Sequence, residues 1–202
     1  MADINQRLVE VQQQLIDSEQ RSHSQATLID RLQRELEQEN DLTAVARQAF
    51  VDRLAENLPA SAIFRLDGDR LLIQVKPVYV HSTGQLGAEG QQRLQPMVAA
   101  LRDALASLSD AVDWQLRIEG HTDSRALRGN ARFPSNWELS AKRAVEMLRY
   151  LAAEGIDQRH MYAVALAANR PLIEGESAEA YRANRRIEIH LELSPAKRAG
   201  TT

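Results

Sequence analysis

The chain has 202 residues, and its 25 lysines and arginines against 28 aspartates and glutamates give a formal net charge of −3. This balance excludes the strongly basic surface that general nucleic-acid binding needs, so we expect no nucleic-acid partner. The absence of cysteine excludes disulfides, thiol catalysis and cysteine-ligated metals. The sequence shows no apolar run of about 20 residues, the length of a membrane-spanning helix. Asp3, Arg7 and Glu10 also interrupt any signal-peptide core.

Residues 1–57 are expected to form a helical stalk. Apolar residues recur with the spacing of a coiled-coil seam at Ile4, Leu8, Val11, Leu15, Ile29, Leu32 and Leu36. Ser18, Ser22 and Gln25 interrupt this seam in its middle. The pattern therefore indicates either a coiled coil that makes the chain a homodimer or a solvated helix that lies on its own domain. A second helix is predicted over residues 41–57, because Pro59 disfavours helical backbone in the residue before it.

After residue 57 the hydrophobic period changes, which predicts alternating strands and helices. Strands are expected over residues 62–66, 70–75, 114–119, 162–166 and 187–193. Helices are expected over residues 89–108 and 137–154, with a helical turn over 178–182. This order predicts an α/β (α+β) fold, a two-layer sandwich of a mixed β-sheet and helices, over residues 58–193. Residues 194–202 are expected to form a disordered tail.

Two segments carry candidate chemistry. GHTD at 120–123 follows a predicted strand, with Gly120 expected to allow a sharp turn, and SNWELSAKRA at 135–144 opens a predicted helix. If the strand end and the helix start are neighbours, Asp123 and Arg143 meet in one groove. A carboxylate beside a guanidinium can bind both poles of a zwitterion, the ammonium on the acid and the carboxylate on the arginine. The same residues are also consistent with a structural salt bridge or with unrelated surface charges.

These motifs stand in the order of a known family. The chain resembles the OmpA-like peptidoglycan-binding domain in GHTD at 120–123, SNWELSAKRA at 135–144, Gly155-Ile156, Pro171 and NRRIEI at 184–189. The segment FPSNWELS at 133–140 resembles the flagellar-motor stator (MotB-like) branch more than the porin or lipoprotein branches. The resemblance covers residues 62–193. Within residues 164–171 the chain departs from it, with alanine and leucine where the family usually has glycine and an aromatic residue.

The resemblance implies a ligand, the meso-diaminopimelate stem peptide of peptidoglycan, whose side chain ends in an ammonium and a carboxylate. By match to the motif, Asp123 is expected to bind the ammonium and Arg143 the carboxylate. The other site residues implied are Thr122 and Asn136 as hydrogen-bonding lining, Leu139 as support, and Asn184 and Arg185 from the loop before the last strand.

Further arginines surround this site. Arg125, Arg128 and Arg132 lie in the loop of residues 124–134. They are expected either to contact glycan or the anionic stem peptide, or to be simply solvated. Arg186 is expected to brace the fold.

The stator branch implies a role and partners. The chain is expected to be a non-catalytic, periplasmic homodimer that anchors a membrane-embedded, ion-driven stator to the cell wall. A MotA-like inner-membrane partner would be bound through a membrane segment outside this chain, which would also anchor the full-length protein to the inner membrane. The alternative is an OmpA-like envelope tether or organising protein with no motor role. A third interpretation is a cytoplasmic coiled-coil scaffold whose α/β domain has lost ligand binding.

Enzymatic and metal chemistry are not expected. The 5 histidines show no close metal-ligand spacing. His121 and Asp123 form at most a two-ligand fragment. No nucleophile elbow of the form G-x-S-x-G is present, so no catalytic set, cofactor or metal is predicted. Trp114 and Trp137 are expected in the core rather than on a ligand platform.

Overall fold

In a computed structural model, the structure describes residues 2–61, 63–68, 70–74, 78–79, 83–125, 127 and 132–196. The chain divides into two compact units, residues 1–42 and 43–202. One helix, α1 (Ala2–Asn57), replaces the two helices predicted for the stalk. It needs no break because it contains neither glycine nor proline. The division precedes the predicted boundary at residue 57, since Phe50 and Leu54 of α1 belong to the buried core of the second unit.

The first unit is helical, and its side chains are exposed wherever the structure describes them. The described side chains of residues 13–42 are all exposed. Among them are Leu15, Ile29, Leu32 and Leu36 from the predicted coiled-coil seam. An apolar stripe of this kind is what a coiled coil covers with a second helix.

The second unit contains a five-stranded mixed sheet. Its strands are β1 (Phe64–Asp67), β2 (Arg70–Gln74), β3 (Val112–His121), β4 (Met161–Ala167) and β5 (Arg186–Pro195). Their order in the sheet is β1-β2-β5-β3-β4. Only β3 and β4 pair in parallel among these strands. The described helices that follow α1 are α2 (Ala88–Ala106), α3 (Asn136–Ala153), the 3-10 helix Gln158–His160, and α4 (Ala178–Asn184).

The core lies between one face of the sheet and the helices. Alternate residues of β3 and β5, such as Ile118 and Ile189, are buried in one cluster with Leu101 of α2 and Met147 of α3. Burying these apolar side chains is the main force that holds the two layers together. The predicted two-layer sandwich and mixed sheet are therefore confirmed.

Two local expectations differ from the structure. Trp114 packs against the core, but Trp137, in the first turn of α3, is 50% exposed. The last strand continues past the predicted start of the tail, and Ser194 and Pro195 pair with β3. Residues 197–202 of that predicted tail lie outside the described residues. Within the described part of the chain, no helix is long and apolar enough to cross a membrane.

Candidate functional site

The site is built where the end of β3 meets the start of α3. Gly120 lies inside β3, where a Cβ would sit 2.2 Å from the backbone oxygen of Ser140. Glycine is therefore required for close packing against α3, rather than for the predicted sharp turn. The hydroxyl of Ser140 accepts a hydrogen bond from Ala167 N at 3.2 Å. Thr122 N donates to Ala167 O at 2.8 Å, so α3 holds the ends of β3 and β4 together.

The start of α3 is fixed by its cap and ties down the loop after β3. Ser135 is the N-cap, and it forms a capping box with Glu138. Asn136 Nδ2 donates to the backbone oxygens of Asp123 at 3.2 Å and Arg125 at 3.1 Å. The predicted hydrogen-bonding residue Asn136 thus uses its amide nitrogen to position the loop that carries Asp123.

Asp123 is buried and paired with two arginines. Its Oδ2 accepts from Arg185 Nη1 at 2.6 Å and from Arg125 Nη2 at 2.7 Å. Its Oδ1 accepts from the backbone nitrogen of Arg125 at 3.2 Å. Burial alone would raise the pKa of Asp123, but these hydrogen bonds outweigh burial and hold that pKa below its usual value. The acid is therefore ionised and already has cationic partners.

Arg143, unlike Asp123, is buried without an ion-pair partner among the described residues. Only 1% of the residue is exposed, and its Nε is buried without a hydrogen-bond partner. No residue in the described ranges forms an ion pair with its guanidinium. Burial lowers the pKa of Arg143 to about 10, with the charge of Arg185 acting in the same direction and that of Asp123 opposing it. The side chain remains charged at neutral pH, and a buried cation without a partner favours an anion from outside the chain.

Thr122 and Leu139 also lie at this site. Thr122 Oγ1 is buried and has no hydrogen-bond partner among the residues the structure covers, so it is free to bond a ligand. Leu139 is buried, and its Cδ1 lies beside Gly84. Tyr79 Oη donates to the backbone oxygen of Arg143 at 3.0 Å. These contacts fix the turn of α3 that carries the arginine.

The predicted residues before the last strand divide into two roles. Arg185 reaches Asp123, as described above. Asn184 Oδ1 accepts from Leu172 N at 2.7 Å and Ile173 N at 3.1 Å, while its Nδ2 donates to Ile173 O at 2.8 Å. The amide of Asn184 therefore holds the loop after Pro171. Arg186 pairs with Glu188 at 2.5 Å, which is the bracing role expected for it.

Sequence reasoning missed the contacts of Arg125. Its guanidinium pairs with Asp123 and lies 4.5 Å from the ring centroid of Tyr181. The short spacing between Asp123 and Arg125 was a visible signal for the ion pair, whereas no pattern pointed to Tyr181. Of the other loop arginines, Arg132 is exposed and Arg128 lies outside the described residues.

A second group of titratable residues lies beside the site, and the sequence did not reveal it. Glu119, His121 and Glu188 are buried, and one potential metal-ligand atom from each lies within 4.8 Å of the others. No described residue makes a well-oriented hydrogen bond to either ring nitrogen of His121, although Nε2 lies 3.4 Å from Glu119 Oε2 and 3.8 Å from Glu188 Oε1. The predicted fragment of His121 and Asp123 is thus replaced by His121 with two glutamates. The sequence signal for this group is that charged residues alternate with apolar ones on both β3 and β5, where Glu119 and Glu188 are paired in register.

Cations already balance these two glutamates. Arg117 Nε lies 2.9 Å from Glu119 Oε1, and Arg186 pairs with Glu188. His190 Nε2 lies 3.0 Å from Glu188 Oε2 and 3.4 Å from Glu119 Oε2. Burial disfavours the charge on His190, but hydrogen bonds to the two glutamates prevail and raise its pKa to about 9. We interpret the group as an ion-pair network on the polar face of the sheet.

Comparison with known proteins places the chain in a family. Residues 78–185 match the OmpA family. Motility protein B from Bacillus subtilis is 34% identical over 73 residues, which are 36% of this chain and 28% of that protein. A peptidoglycan-associated lipoprotein from Pseudomonas aeruginosa is 32% identical over 72 residues, 36% of this chain and 40% of that protein. The chain spans less than half of the length of the curated relatives it matches.

Solved structures share the fold. A MotB-like protein from Desulfovibrio vulgaris superposes with a TM-score of 0.62 at 23% identity, covering 80% of this chain and 98% of that one. The cell wall anchor of the T6SS from Pseudomonas aeruginosa gives a TM-score of 0.56 at 28% identity, covering 73% of this chain and 97% of that one. Because the family match at residues 78–185 spans more than half of the 202 residues, the chain belongs to the OmpA family.

Proposed function

We propose that this chain binds peptidoglycan, without catalysis, through the meso-diaminopimelate residue of the stem peptide. The observation that carries the proposal is Arg143, a buried cation beside Asp123 that no described residue neutralises. A relative named as peptidoglycan-associated and a 28% identical structure named as a cell wall anchor support the ligand class.

The carboxylate of the ligand would dock on Arg143. A guanidinium offers a planar pair of donors that matches a carboxylate, and the attraction between the two charges is stronger where water is excluded. The free hydroxyl of Thr122 supplies a further hydrogen bond at the same end of β3. In the ligand-free protein, Arg143 Nε and Thr122 Oγ1 are buried without a hydrogen-bond partner among the described residues, which costs free energy. Ligand binding would give both groups a partner.

The ammonium of the ligand would dock on Asp123. This carboxylate stays ionised well below neutral pH because Arg125 and Arg185 donate to it. At neutral pH, Asp123 is therefore negatively charged while Arg143 is positively charged. A zwitterionic ligand needs both charges in its binding site. A neutral or singly charged side chain would leave one pole unmatched.

Co-sedimentation with purified cell-wall sacculi tests this function. Wild-type protein should be retained by sacculi whose stem peptides contain diaminopimelate, and much less by sacculi whose stem peptides contain lysine, which has no side-chain carboxylate. Arg143→Ala and Asp123→Ala should each abolish retention. Arg149→Ala is the matched control, because Arg149 lies on the same helix and its side chain is 69% exposed. Retention of both site variants would contradict the assigned site.

We further propose that the chain is a periplasmic homodimer and serves as the wall anchor of a MotB-like stator with a MotA-like inner-membrane partner. The exposed apolar residues of α1, including Ile29 and Leu36, are the surface that would pair. Light scattering after gel filtration should report a dimer, which Ile29→Asn with Leu36→Asn converts to a monomer. Leu28→Asn is the matched control, because Leu28 is equally exposed but lies off the seam. A wild-type monomer at high concentration would contradict the dimer.

An envelope tether without a motor is the second candidate. The observation that favours it is the cell wall anchor, which is 28% identical, whereas the MotB-like structure is 23% identical. The genomic sequence upstream of Met1 separates the two. An apolar helix that contains an aspartate supports the stator, whereas a lipoprotein signal supports the tether.

A further inference from the structure

Asp123 is the acid to which the ligand's ammonium would bind, yet a side chain of the protein already covers it. We infer that Arg125 occupies the ammonium subsite in the ligand-free protein and must leave before the stem peptide is fully bound. Arg125 is then an internal competitor that sets the affinity of the site. This inference rests on the proposed function.

The competition follows from how the oxygens of Asp123 are used. Oδ2 accepts from Arg125 Nη2 at 2.7 Å, from Arg125 Nε at 3.3 Å and from Arg185 Nη1 at 2.6 Å. Oδ1 accepts from the backbone nitrogen of Arg125 at 3.2 Å. A carboxylate offers about four acceptor positions, and Oδ2 is already fully engaged. An ammonium that approaches Oδ2 must therefore displace one of the two guanidinium groups.

Arg125 is the group that can move. Its side chain is 57% exposed, whereas that of Arg185 is 15% exposed. Its backbone is fixed at both ends of the residue, because its nitrogen donates to Asp123 and its oxygen accepts from Asn136. Release therefore needs only a side-chain rotation, which exposed residues complete rapidly. The ammonium of the ligand then takes the place of the Arg125 guanidinium, so the positive charge beside Asp123 stays the same.

Tyr181 holds Arg125 in the closed position. The guanidinium carbon lies 4.5 Å from the centroid of the Tyr181 ring, within the range of a cation–π contact. The ring is half-buried on α4, so it offers a fixed surface. The contact stabilises the closed position without contributing to ligand binding.

Calorimetric titration with a soluble muropeptide that contains meso-diaminopimelate tests the inference. Arg125→Ala should tighten binding about fivefold, which corresponds to losing one exposed ion pair and one cation–π contact as competitors. Tyr181→Leu should tighten binding in the same direction by a smaller factor. Arg182→Ala is the matched control, since it removes an exposed arginine of α4 and should leave the affinity unchanged.

A second ligand isolates the subsite. When the side-chain amine of the diaminopimelate is acetylated, no ammonium competes for Asp123, and Arg125→Ala should then give no gain. Weaker binding of the muropeptide by Arg125→Ala, with wild-type protein still binding, would overturn the inference and make Arg125 a ligand contact while the proposed function stands. Absence of binding by wild type and by every variant would overturn the proposed function, and this inference with it.

Discussion

Arg185 Nη1 lies 2.6 Å from Asp123 Oδ2, so the acid of the candidate site is paired with the residue that follows α4, not with Arg143. The site is therefore asymmetric. Its acidic pole is neutralised by side chains of the protein, and its basic pole has no counter-ion among the residues described. Ligand binding to such a site gains more at Arg143, where an unpaired buried charge is relieved, than at Asp123, where one cation replaces another.

This asymmetry predicts that Arg143 is kept for binding at a cost in stability. Arg143→Met removes an unpaired buried charge and keeps most of the side-chain volume, so the free energy of unfolding should stay level or rise by up to about 2 kcal/mol. Urea denaturation measures it. Leu139→Ala, a buried neighbour on α3, should instead lose about 2–4 kcal/mol. A loss of similar size in Arg143→Met would mean that the guanidinium is bonded within the protein.

Replacing Asp123, unlike replacing Arg143, should destabilise the protein. Asp123→Asn leaves Arg185 partly buried without its counter-ion, so we expect a loss of about 1–2 kcal/mol in the free energy of unfolding. The control is a double-mutant cycle with Arg185→Met, in which the two losses should be clearly less than additive. Strict additivity would show that the 2.6 Å pair contributes nothing to stability.

The ion-pair network predicts a pH dependence in the alkaline range. The pKa of His190 is raised to about 9 in the folded protein, against about 6.5 in an unfolded chain. The folded state thus binds this proton more tightly, and the resulting stability is fully present below pH 6.5 and is lost as the pH rises through 9. The expected loss is on the order of 2 kcal/mol.

Unfolding in urea between pH 6 and pH 9.5 checks this. His190→Gln should flatten the profile in that window, whereas His23→Gln, on the exposed part of α1, should leave it unchanged. A wild-type free energy of unfolding that stays constant or increases over the window contradicts the raised pKa.

A strained alanine gives a stabilising substitution. Ala167 has φ +50°, a left-handed conformation that costs a residue with a Cβ about 1–2 kcal/mol. Ala167→Gly relieves this cost, but glycine loses more backbone entropy than alanine on folding. We therefore expect the free energy of unfolding, measured by thermal denaturation, to rise by about 0.5–1 kcal/mol. Ala163→Gly, in the regular part of the same strand, should lose about 1 kcal/mol. Equal losses in both variants would refute the strain.

Much of the fold could be predicted from hydrophobic spacing. The alternation of Ile187, Ile189 and Leu191 predicted β5, and these residues do lie in the core. The spacing alone does not show whether the charged residues between them are buried, and Glu188 is buried. Two of its counter-ions, Arg186 and His190, lie on β5 itself, but Arg70 of β2 adds a third and His190 also contacts Glu119 of β3. Spacing within one strand does not reveal these contacts between strands.

The candidate site could be predicted as a set of residues but not as a set of bonds. The motifs predicted Asp123 and Arg143 for one site. Burial lowers the pKa of Arg143 and the charge of Asp123 opposes this effect, but the ion-pair partners of Asp123 are Arg185 and Arg125. The motifs did not indicate that the side-chain amides of Asn136 and Asn184 form hydrogen bonds with backbone atoms. The short spacing between Asp123 and Arg125 was a signal for their ion pair, but no pattern in the sequence indicated that the guanidinium of Arg125 contacts the ring of Tyr181.

The most direct measurement of the central claim changes the ligand and not the protein. Wild-type protein should be titrated calorimetrically with a muropeptide containing meso-diaminopimelate, and then with the same muropeptide amidated at the side-chain carboxylate of that residue. Amidation removes the anion that Arg143 would bind, so affinity should fall at least about tenfold, and Arg143→Met should show no difference between the two ligands. Equal, measurable affinity of wild-type protein for both muropeptides would contradict a site built on Arg143.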